Sequence, residues 1–314
     1  ALADSDVNAF IYGQSWADEI AFLEDLKKIS KEDLMAFAKD FYKDNYVLTY
    51  KRKGEDKNIV KVANPGITPV NLNRDSQSPY VADFYAMTSP DLKPVYVDYQ
   101  KALKETSLEN GIEVTYVDNP NNDLFNLNII FDMGKNNEKI LPIAVGYMNY
   151  IGTEKYNAQE LKKEFYKLGI NYGVSSGSER SYVYISGLKE NLKPGLELLE
   201  EMWNTALGDQ ESFDKYIDKL LKDRSNMKTQ KGSILQSGLL NYALYGENSS
   251  LRNVYQSSEL KELNPNDLID VVKGLKEYKQ RIFYYGKDVT QAVSALNELH
   301  KVESELKEYP EVKE

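Results

Sequence analysis

A short motif occurs twice in the chain, and this repeat limits the possible folds more than any other feature. Asp25–Leu34 (DLKKISKEDL) recurs as Glu259–Leu268 (ELKELNPNDL), 234 residues later (259 − 25). In both copies a capping residue, Ser30 or Asn264, is followed three positions later by an aspartate. A capping side chain followed at that spacing by a carboxylate is the signature of a helix N-terminus. The repeat therefore predicts the same helix at two places.

Each predicted helix runs into an apolar strand, Tyr46–Tyr50 in the first copy and Arg281–Tyr285 in the second. Two helix-to-strand units indicate two homologous halves, of which only the second is complete. We predict that residues 1–57 are the C-terminal part of a preceding half-domain. Residues 58–93, with scattered prolines, are predicted to be a linker or strap. Residues 94–314 are predicted to be a complete half-domain, and the chain to be either a processed product or a piece of a longer polypeptide.

The second half begins with two alternating strands, Ile112–Asp118 and Leu124–Asp132, joined by a turn-forming cluster. Alternation with one polar face is typical of an antiparallel hairpin. Two more strands are predicted at Asn171–Ser176 and Ser181–Leu188. Strand pairs that are separated from the helices predict an α+β fold, a two-layer half-domain with a largely antiparallel mixed sheet covered on one face by helices.

The stretch Leu141–Gly173 organises this half. It predicts a buried helix, a Gly-Thr turn, and an amphipathic helix that Asn157 caps and Gly169 ends. A later helix is capped by Asp209, and another is predicted across Ser233–Tyr245.

Composition excludes several kinds of function. The net charge of −10 argues against nucleic acid as a partner, because phosphate binding needs clustered lysine and arginine. The chain has no cysteine and one histidine, so neither a thiolate site nor a two-histidine metal site can be built from it. No run reaches the roughly 18 apolar residues of a membrane span.

The remaining polar features favour surface positions. His300 is predicted to lie, solvated, on a charged helix over Thr290–Lys307. The neighbouring acid pairs, Glu200 with Glu201 and Glu303 with Glu305, are also predicted to be exposed on helices. Nothing in these patterns indicates a nucleophile, a phosphate site or a calcium loop.

The chain has 24 tyrosines, several of them in predicted strands. Two interpretations remain open for Tyr182, Tyr184, Tyr284 and Tyr285. They either pack in the core and at its rim, or line a surface that accepts an extended peptide as an added strand.

Several of these features together resemble the insulinase/pitrilysin-type (inverzincin) zinc metallopeptidases. They are the turn Gly152–Tyr156, the helix Asn157–Gly169, the strand Ser181–Leu188, and the two half-domain endings, Asp25–Asp56 and Glu259–Asp288. The similarity covers nearly the whole chain through the order and spacing of these features.

The resemblance also implies where chemistry is missing. Active members of that family carry an H-x-x-E-H helix just before the Gly-Thr turn. Here the two histidine places fall on Ile143 and Tyr147, the catalytic glutamate place falls on Gly146, and the later glutamate ligand falls near Asp223. The chain is therefore expected to hold no catalytic, cofactor-binding or metal-binding residue, and its substrate-binding residues stay unknown.

The implied function is the inactive part of a bacterial zinc metallopeptidase. Such a part forms the wall of a clamshell chamber, with a peptide substrate and the catalytic half-domains, in the same polypeptide or a paired subunit, as its partners. Zinc would lie in the catalytic half, and this chain by itself would be inactive. The alternative is a non-catalytic scaffold or interaction protein that uses the fold without a peptidase partner, and a third interpretation is an unrelated binding module. The compartment stays open, with the periplasm favoured over the cytoplasm.

Overall fold

Contacts within the chain divide it into two units, residues 1–90 and residues 91–314. The computed structural model describes residues 2–54, 58, 60, 62–64, 66–70, 72–249, 251–303 and 305–312. The predicted boundary at residue 57 lies outside the described residues, and the division into three segments stays a prediction.

The described residues of the first unit form helices joined by segments without regular secondary structure. Its helices are α1 (Leu2–Tyr12), α2 (Trp16–Leu26), α3 (Lys31–Phe41) and α4 (Pro79–Ala86). The predicted start of α3 is confirmed, because the Ser30 hydroxyl accepts a hydrogen bond from the amide of Asp33 and the Asp33 carboxylate accepts one from the amide of Ser30.

The strand predicted at Tyr46–Tyr50 is wrong for this structure, since these residues belong to none of the strands in the described part of the chain. A strand requires a hydrogen-bonding neighbour, and the described residues place none beside this segment.

The second unit is built on one six-stranded sheet. A short helix, α5 (Tyr99–Ala102), precedes it. The strands, in chain order, are β1 (Lys104–Ser107), β2 (Glu113–Asp118), β3 (Leu124–Phe131), β5 (Asn171–Ser176), β6 (Ser181–Leu188) and β8 (Arg281–Gly286); the two-residue strands β4 (Gly152–Thr153) and β7 (Ala206–Leu207) pair separately. The sheet order is β1-β2-β8-β3-β6-β5, and only the β2–β8 pair is parallel.

The hairpin predicted from β2 and β3 is wrong, because β8 lies between these two strands. β8 runs parallel to β2 and antiparallel to β3. The loop after β2 instead crosses the end of β8, where the amide of Asn119 donates to the carbonyl of Gly286 at 3.1 Å. Alternation along a strand identifies its two faces but not its neighbouring strands. The position of β8 between β2 and β3 therefore could not be predicted from these two segments alone.

Helices supply the second layer. They are α6 (Leu141–Tyr147), α7 (Ala158–Lys167), α8 (Leu192–Thr205), α9 (Gln210–Met227), α10 (Asn241–Tyr245), α11 (Ser257–Glu262), α12 (Pro265–Gly274) and α13 (Val289–Leu299). A π-helix (Ser233–Leu240) leads directly into α10, and short 3-10 turns occupy Met148–Tyr150, Lys189–Asn191, Gly246–Asn248 and Leu275–Glu277. The predicted caps Asn157, Asp209 and Asn264 are confirmed, and Gly169 ends α7 with a positive φ of +60°.

The core lies between the helices and one face of the sheet. Side chains alternate strictly along β3, where Phe125, Leu127, Ile129 and Phe131 are buried against the helices. Trp203 of α8 fills the centre and meets Phe131 edge to face, with ring centroids 6.2 Å apart. The predicted α+β half-domain with a mostly antiparallel sheet is confirmed. None of the helices in the described ranges is long and apolar enough to cross a bilayer.

Candidate functional site

The helix that would carry zinc ligands in an active relative is α6, and here it is part of the core. Ile143 and Tyr147 both face the interior, and Tyr147 has no exposed surface. The Tyr147 hydroxyl lies 3.1 Å from both the carbonyl oxygen and the amide nitrogen of Asp209, at the start of α9. This hydroxyl therefore serves to join two helices.

Gly146, at the place of the catalytic glutamate, is tightly covered by Tyr216 of α9. The Tyr216 hydroxyl donates a 2.8 Å hydrogen bond to the carbonyl oxygen of Ile143. In this position its oxygen overlaps the space that a Cβ on residue 146 would need. A glutamate side chain at residue 146 would have to displace Tyr216.

Aromatic rings occupy the space around Gly146. Tyr147 meets Phe213 edge to face at 5.6 Å between ring centroids, and Tyr150 lies 5.3 Å from Tyr216. Burial raises the pKa of both the Tyr147 and the Tyr216 hydroxyl, so both stay protonated and act as neutral hydrogen-bonding groups. Their packing and backbone hydrogen bonds do not fit a zinc ion, which needs about three nitrogen, sulfur or carboxylate ligands converging on one point.

Asp223, near which the resemblance places the later ligand, is also engaged elsewhere. Its carboxylate accepts a hydrogen bond from Lys219 at 2.7 Å, one turn earlier on α9, and its side chain is about half exposed. Among the described residues, no three His, Cys, Asp or Glu side chains come together as a metal site.

A different surface brings functional side chains together: the sheet face that points away from the core helices, here called the outer face. Its members share a half-buried environment and form rows across the strands through the strand register. They are Thr115 and Val117 of β2, Phe283 and Tyr285 of β8, Asn126, Asn128 and Ile130 of β3, and Tyr182, Tyr184 and Ser186 of β6. The face thus alternates aromatic rings with short polar side chains.

The four strand tyrosines divide between the two faces of the sheet. Tyr284 points into the core, and its hydroxyl donates to the carbonyl of Lys287 at 2.9 Å. Tyr182, Tyr184 and Tyr285 lie on the outer face, each half-buried. The core interpretation is confirmed for Tyr284, and the peptide-accepting surface stays a prediction for the other three.

Tyr184 has a particular neighbour on the next strand, Gly173 of β5. A Cβ on Gly173 would overlap the phenol ring of Tyr184. The ring therefore lies flat across the glycine backbone, a packing that stabilises a glycine within a strand.

An ion-pair cluster closes one end of the outer face. The Asp132 carboxylate accepts hydrogen bonds from Arg180 at 2.8 Å and from Arg281 at 3.0 Å. The hydrogen bond from Arg281, then the charge of both arginines, holds the pKa of Asp132 below its usual range despite partial burial.

Two clefts open beside this cluster. The smaller, of about 230 Å³, is lined by Asp132 and Arg180 together with Asn136, Asn137, Glu179 and Val312. The larger, of about 910 Å³, shares Asn136 and Glu179 and extends along Tyr245 to Arg252. Both clefts are lined mainly by polar side chains.

The sheet ends at β5, which pairs on one side only, with β6, among the strands that the structure describes. An edge strand presents unpaired amide and carbonyl groups that can bind an extended peptide.

His300 lies in the core, so the predicted solvated position is wrong. Helix α13 ends at Leu299 rather than at residue 307, and the chain then turns so that the His300 ring points inward. Its Nδ1 lies 2.7 Å from Oε1 of Glu200, and its Nε2 lies 3.1 Å from Oε1 of Gln280.

Glu200 is likewise buried, contrary to the prediction, and it also accepts a hydrogen bond from Lys276. Burial raises the pKa of the Glu200 carboxyl, but the hydrogen bond and attraction of His300, with those of Lys276, outweigh burial and leave the pKa lowered. The sequence did contain a signal for this, because Glu200 lies four residues after Leu196, in the stripe that α8 buries. Glu303 and Glu305 are exposed as predicted, but outside any helix.

Comparison with known proteins agrees with this geometry. Residues 143–255 match the sequence model described as insulinase (peptidase family M16). Over these residues the chain is similar to peptidase family M16, and the resemblance predicted from the sequence is confirmed there. No curated protein sequence matches the chain.

Solved structures of M16 proteins share the fold. The periplasmic protease PqqL from Escherichia coli superposes with a TM-score of 0.57 at 10% identity, over 91% of this chain and 30% of PqqL. A peptidase M16 inactive domain from Pseudomonas fluorescens gives 0.57 at 14% identity, over 68% of this chain and 53% of that one.

The ferredoxin protease FusC, solved with Arabidopsis ferredoxin, gives a TM-score of 0.55 at 14% identity, over 91% of this chain and 30% of FusC. The chain therefore spans between about a third and about half of the length of these structures.

Proposed function

We propose that this chain is the non-catalytic, peptide-contacting part of an insulinase-type zinc metallopeptidase. The observation that carries the proposal is the pair Gly146 and Tyr216. The first residue removes the catalytic carboxylate from α6, and the second fills the space it would occupy. One of the structures that shares the fold is itself described as an M16 inactive domain.

The outer face is the surface we assign to peptide contact. Its half-buried rings at Tyr182, Tyr184, Phe283 and Tyr285 offer apolar area, while Asn126 and Asn128 offer hydrogen-bonding groups between them. Aromatic residues supply much contact area with little loss of side-chain entropy, which suits them to binding varied sequences. The free edge of β5 adds backbone groups for an extended segment.

The rest of the protein follows from the same proposal. Zinc and its ligands belong to a catalytic half-domain that lies elsewhere in the full polypeptide or in a paired subunit. Residues 1–57 complete a preceding half-domain, residues 58–93 connect it, and residues 94–314 form the inactive half. The description of PqqL as a periplasmic protease supports the periplasm as the compartment.

The expected absence of peptidase activity and of bound zinc is tested directly on the purified chain. We expect residues 1–314 to cleave no unfolded protein or quenched fluorescent peptide, with or without added zinc. We also expect no zinc to remain bound after desalting, as measured by mass spectrometry. Hydrolysis that a chelator abolishes would contradict the proposal.

Peptide contact is tested with a fluorescein-labelled, unstructured apolar peptide and fluorescence anisotropy. We expect Tyr184→Ala combined with Tyr285→Ala to weaken binding by about tenfold, because two contact rings are lost. Tyr166→Ala is the matched control, since Tyr166 is 85% exposed on α7, away from the outer face. Equal affinity in all three proteins would remove the outer face from the proposal. Binding of a folded protein but not of peptides would favour the scaffold alternative.

A further inference from the structure

The two copies of the sequence repeat are in opposite environments. At the common spacing of 234 residues, the apolar positions at the end of α2, in α3 and in the segment after α3 match those of α11, α12, the turn after α12, and β8. The matched pairs are Leu26 with Leu260, Leu34 with Leu268, Met35 with Ile269, Ala38 with Val272, Phe41 with Leu275, Leu48 with Ile282, and Tyr50 with Tyr284. Three of these pairs are identical.

In the second copy every one of these side chains is buried. Ile282 and Tyr284 are each 1% exposed, and Leu268 has no exposed surface. Helix α12 packs against α6, and β8 is hydrogen-bonded on both sides, to β2 and to β3. The second copy thus shows which structure covers this motif.

In the first copy six of the seven positions are exposed and Ala38 is half-buried. Leu34 is 60% exposed, Phe41 57%, Leu48 58% and Tyr50 67%. The helix itself forms in both copies, with the same reciprocal cap. The difference is therefore not in the local sequence but in what lies against it.

We infer that residues 26–50 are a docking surface for a half-domain core of the same type as the second unit. That partner supplies two strands with a one-strand gap and an apolar helix equivalent to α6. Tyr46–Tyr50 enters the gap as a central strand, parallel to one neighbour and antiparallel to the other, with Leu48 and Tyr50 facing the core.

This inference rests on the proposed half-domain arrangement and adds to it the partner's chemistry, the strand's place and its register. Large exposed apolar patches mark interaction surfaces, and an uncharged run such as Tyr46–Tyr50 gains both backbone hydrogen bonds and burial by entering a sheet.

The first test uses single cysteines, since the chain has none of its own. We expect the thiol of Leu48→Cys to react with a maleimide at least about tenfold faster than the thiol of Ile282→Cys, because only the second site requires opening of a sheet. Equal protection at both sites would overturn the inference. Protection of Leu48→Cys that increases with protein concentration would make a second copy the occupant, and would also overturn it.

The second test asks whether the first copy fits the proposed gap. Residues 265–275 and 282–284 are replaced, in the full chain, by the sequences of residues 31–41 and 48–50. Lys276, Gln280 and Gly286 are kept. We expect a cooperative unfolding transition, and a thiol placed at position 282 of this chimera should be as protected as in Ile282→Cys. A control chimera with serine in place of the transplanted Leu34 and Met35 should lose both properties.

A second variant with fewer substitutions tests the same fit in case the chimera fails to fold for an unrelated reason. It carries only the four differing core residues, as Ile269→Met, Val272→Ala, Leu275→Phe and Ile282→Leu. If this variant and the chimera both lose the cooperative transition, residues 31–50 do not fit such a gap and the inference fails. The peptide-binding experiment on the outer face does not depend on this outcome, so the two proposals fail separately.

Discussion

His300 and Glu200 lie 100 residues apart in the sequence, yet Nδ1 of the histidine is 2.7 Å from Oε1 of the glutamate inside the core. The contact ties the end of α13 to the middle of α8. Lys276 reaches the second oxygen of the same carboxylate and also lies 4.9 Å above the ring of Trp203. Buried charges of this kind are tolerated when each has a partner.

Removal of one partner is therefore expected to be costly. We predict that His300→Ala lowers the free energy of unfolding by about 3 kcal/mol, because it leaves part of a buried carboxylate unpaired. Urea denaturation followed by circular dichroism measures the change. Glu303→Gln is the control, since Glu303 is exposed and should shift stability by less than about 0.5 kcal/mol. A His300→Ala protein as stable as the control would show that the contact has no energetic role.

The same carboxylate predicts a dependence on pH. The pKa of Glu200 is lower in the folded protein than its ordinary value of 4.5. Its contribution to stability is therefore complete above about pH 4.5 and is lost as the pH falls through the lower, folded pKa.

We expect the free energy of unfolding to fall with acidification in this range, and to fall less steeply in Glu200→Gln. Urea titrations at several pH values between about 3 and 6 provide the comparison. Identical slopes in the two proteins would assign the acid sensitivity to other carboxylates.

Gly146 and Tyr216 should be energetically coupled, because the Tyr216 hydroxyl occupies the space that a Cβ on residue 146 would need. Alanine is a better helix former than glycine by up to about 1 kcal/mol. The overlap with the Tyr216 hydroxyl costs about 1–3 kcal/mol, so we expect Gly146→Ala to destabilise the protein overall.

In the Tyr216→Phe background the hydroxyl is absent, and Gly146→Ala should become close to neutral. A double-mutant cycle in urea measures this rescue. Gly232→Ala is the matched control, because the space around that glycine is open. Additive effects in the cycle would mean that Tyr216 moves aside freely.

The two helix caps of the repeat provide a further comparison. Asn264 accepts hydrogen bonds from the amides of Asn266 at 3.0 Å and Asp267 at 3.3 Å. We expect Asn264→Ala to lower the free energy of unfolding of the second unit by about 1 kcal/mol.

Ser30→Ala removes the equivalent cap from α3, whose apolar side chains are exposed, so it should leave that transition unchanged. Thermal unfolding followed at 280 nm, together with helix content by circular dichroism, separates the two effects. An equal shift from both variants would mean that α3 unfolds together with the second unit.

Local sequence signals predicted local structure well. Strands β5 and β6 have the predicted bounds, and the caps at Ser30, Asn157, Asp209 and Asn264 all form. These features depend on the periodicity and hydrogen-bonding groups of a few adjacent residues, which a sequence displays directly.

The errors concern contacts between distant segments. β8 separates β2 from β3, and α13 ends early enough to bring His300 inside. No strand in the described part of the chain pairs with Tyr46–Tyr50. The charge of Glu200 led to the prediction of an exposed position, although its place in the α8 stripe indicated burial.

The sequence by itself determined the class of fold, the capped starts of the helices and the faces of the strands, and it put Ile143, Gly146 and Tyr147 where the resemblance implies the H-x-x-E-H residues. Only the tertiary structure decided that Tyr216 fills the space beside Gly146, that three strand tyrosines share the outer face while Tyr284 is in the core, and that His300 meets Glu200. The physical reason is that helix and strand periodicity indicates which side of an element is buried. It does not indicate which distant segment packs against that side, because this depends on how the whole chain folds.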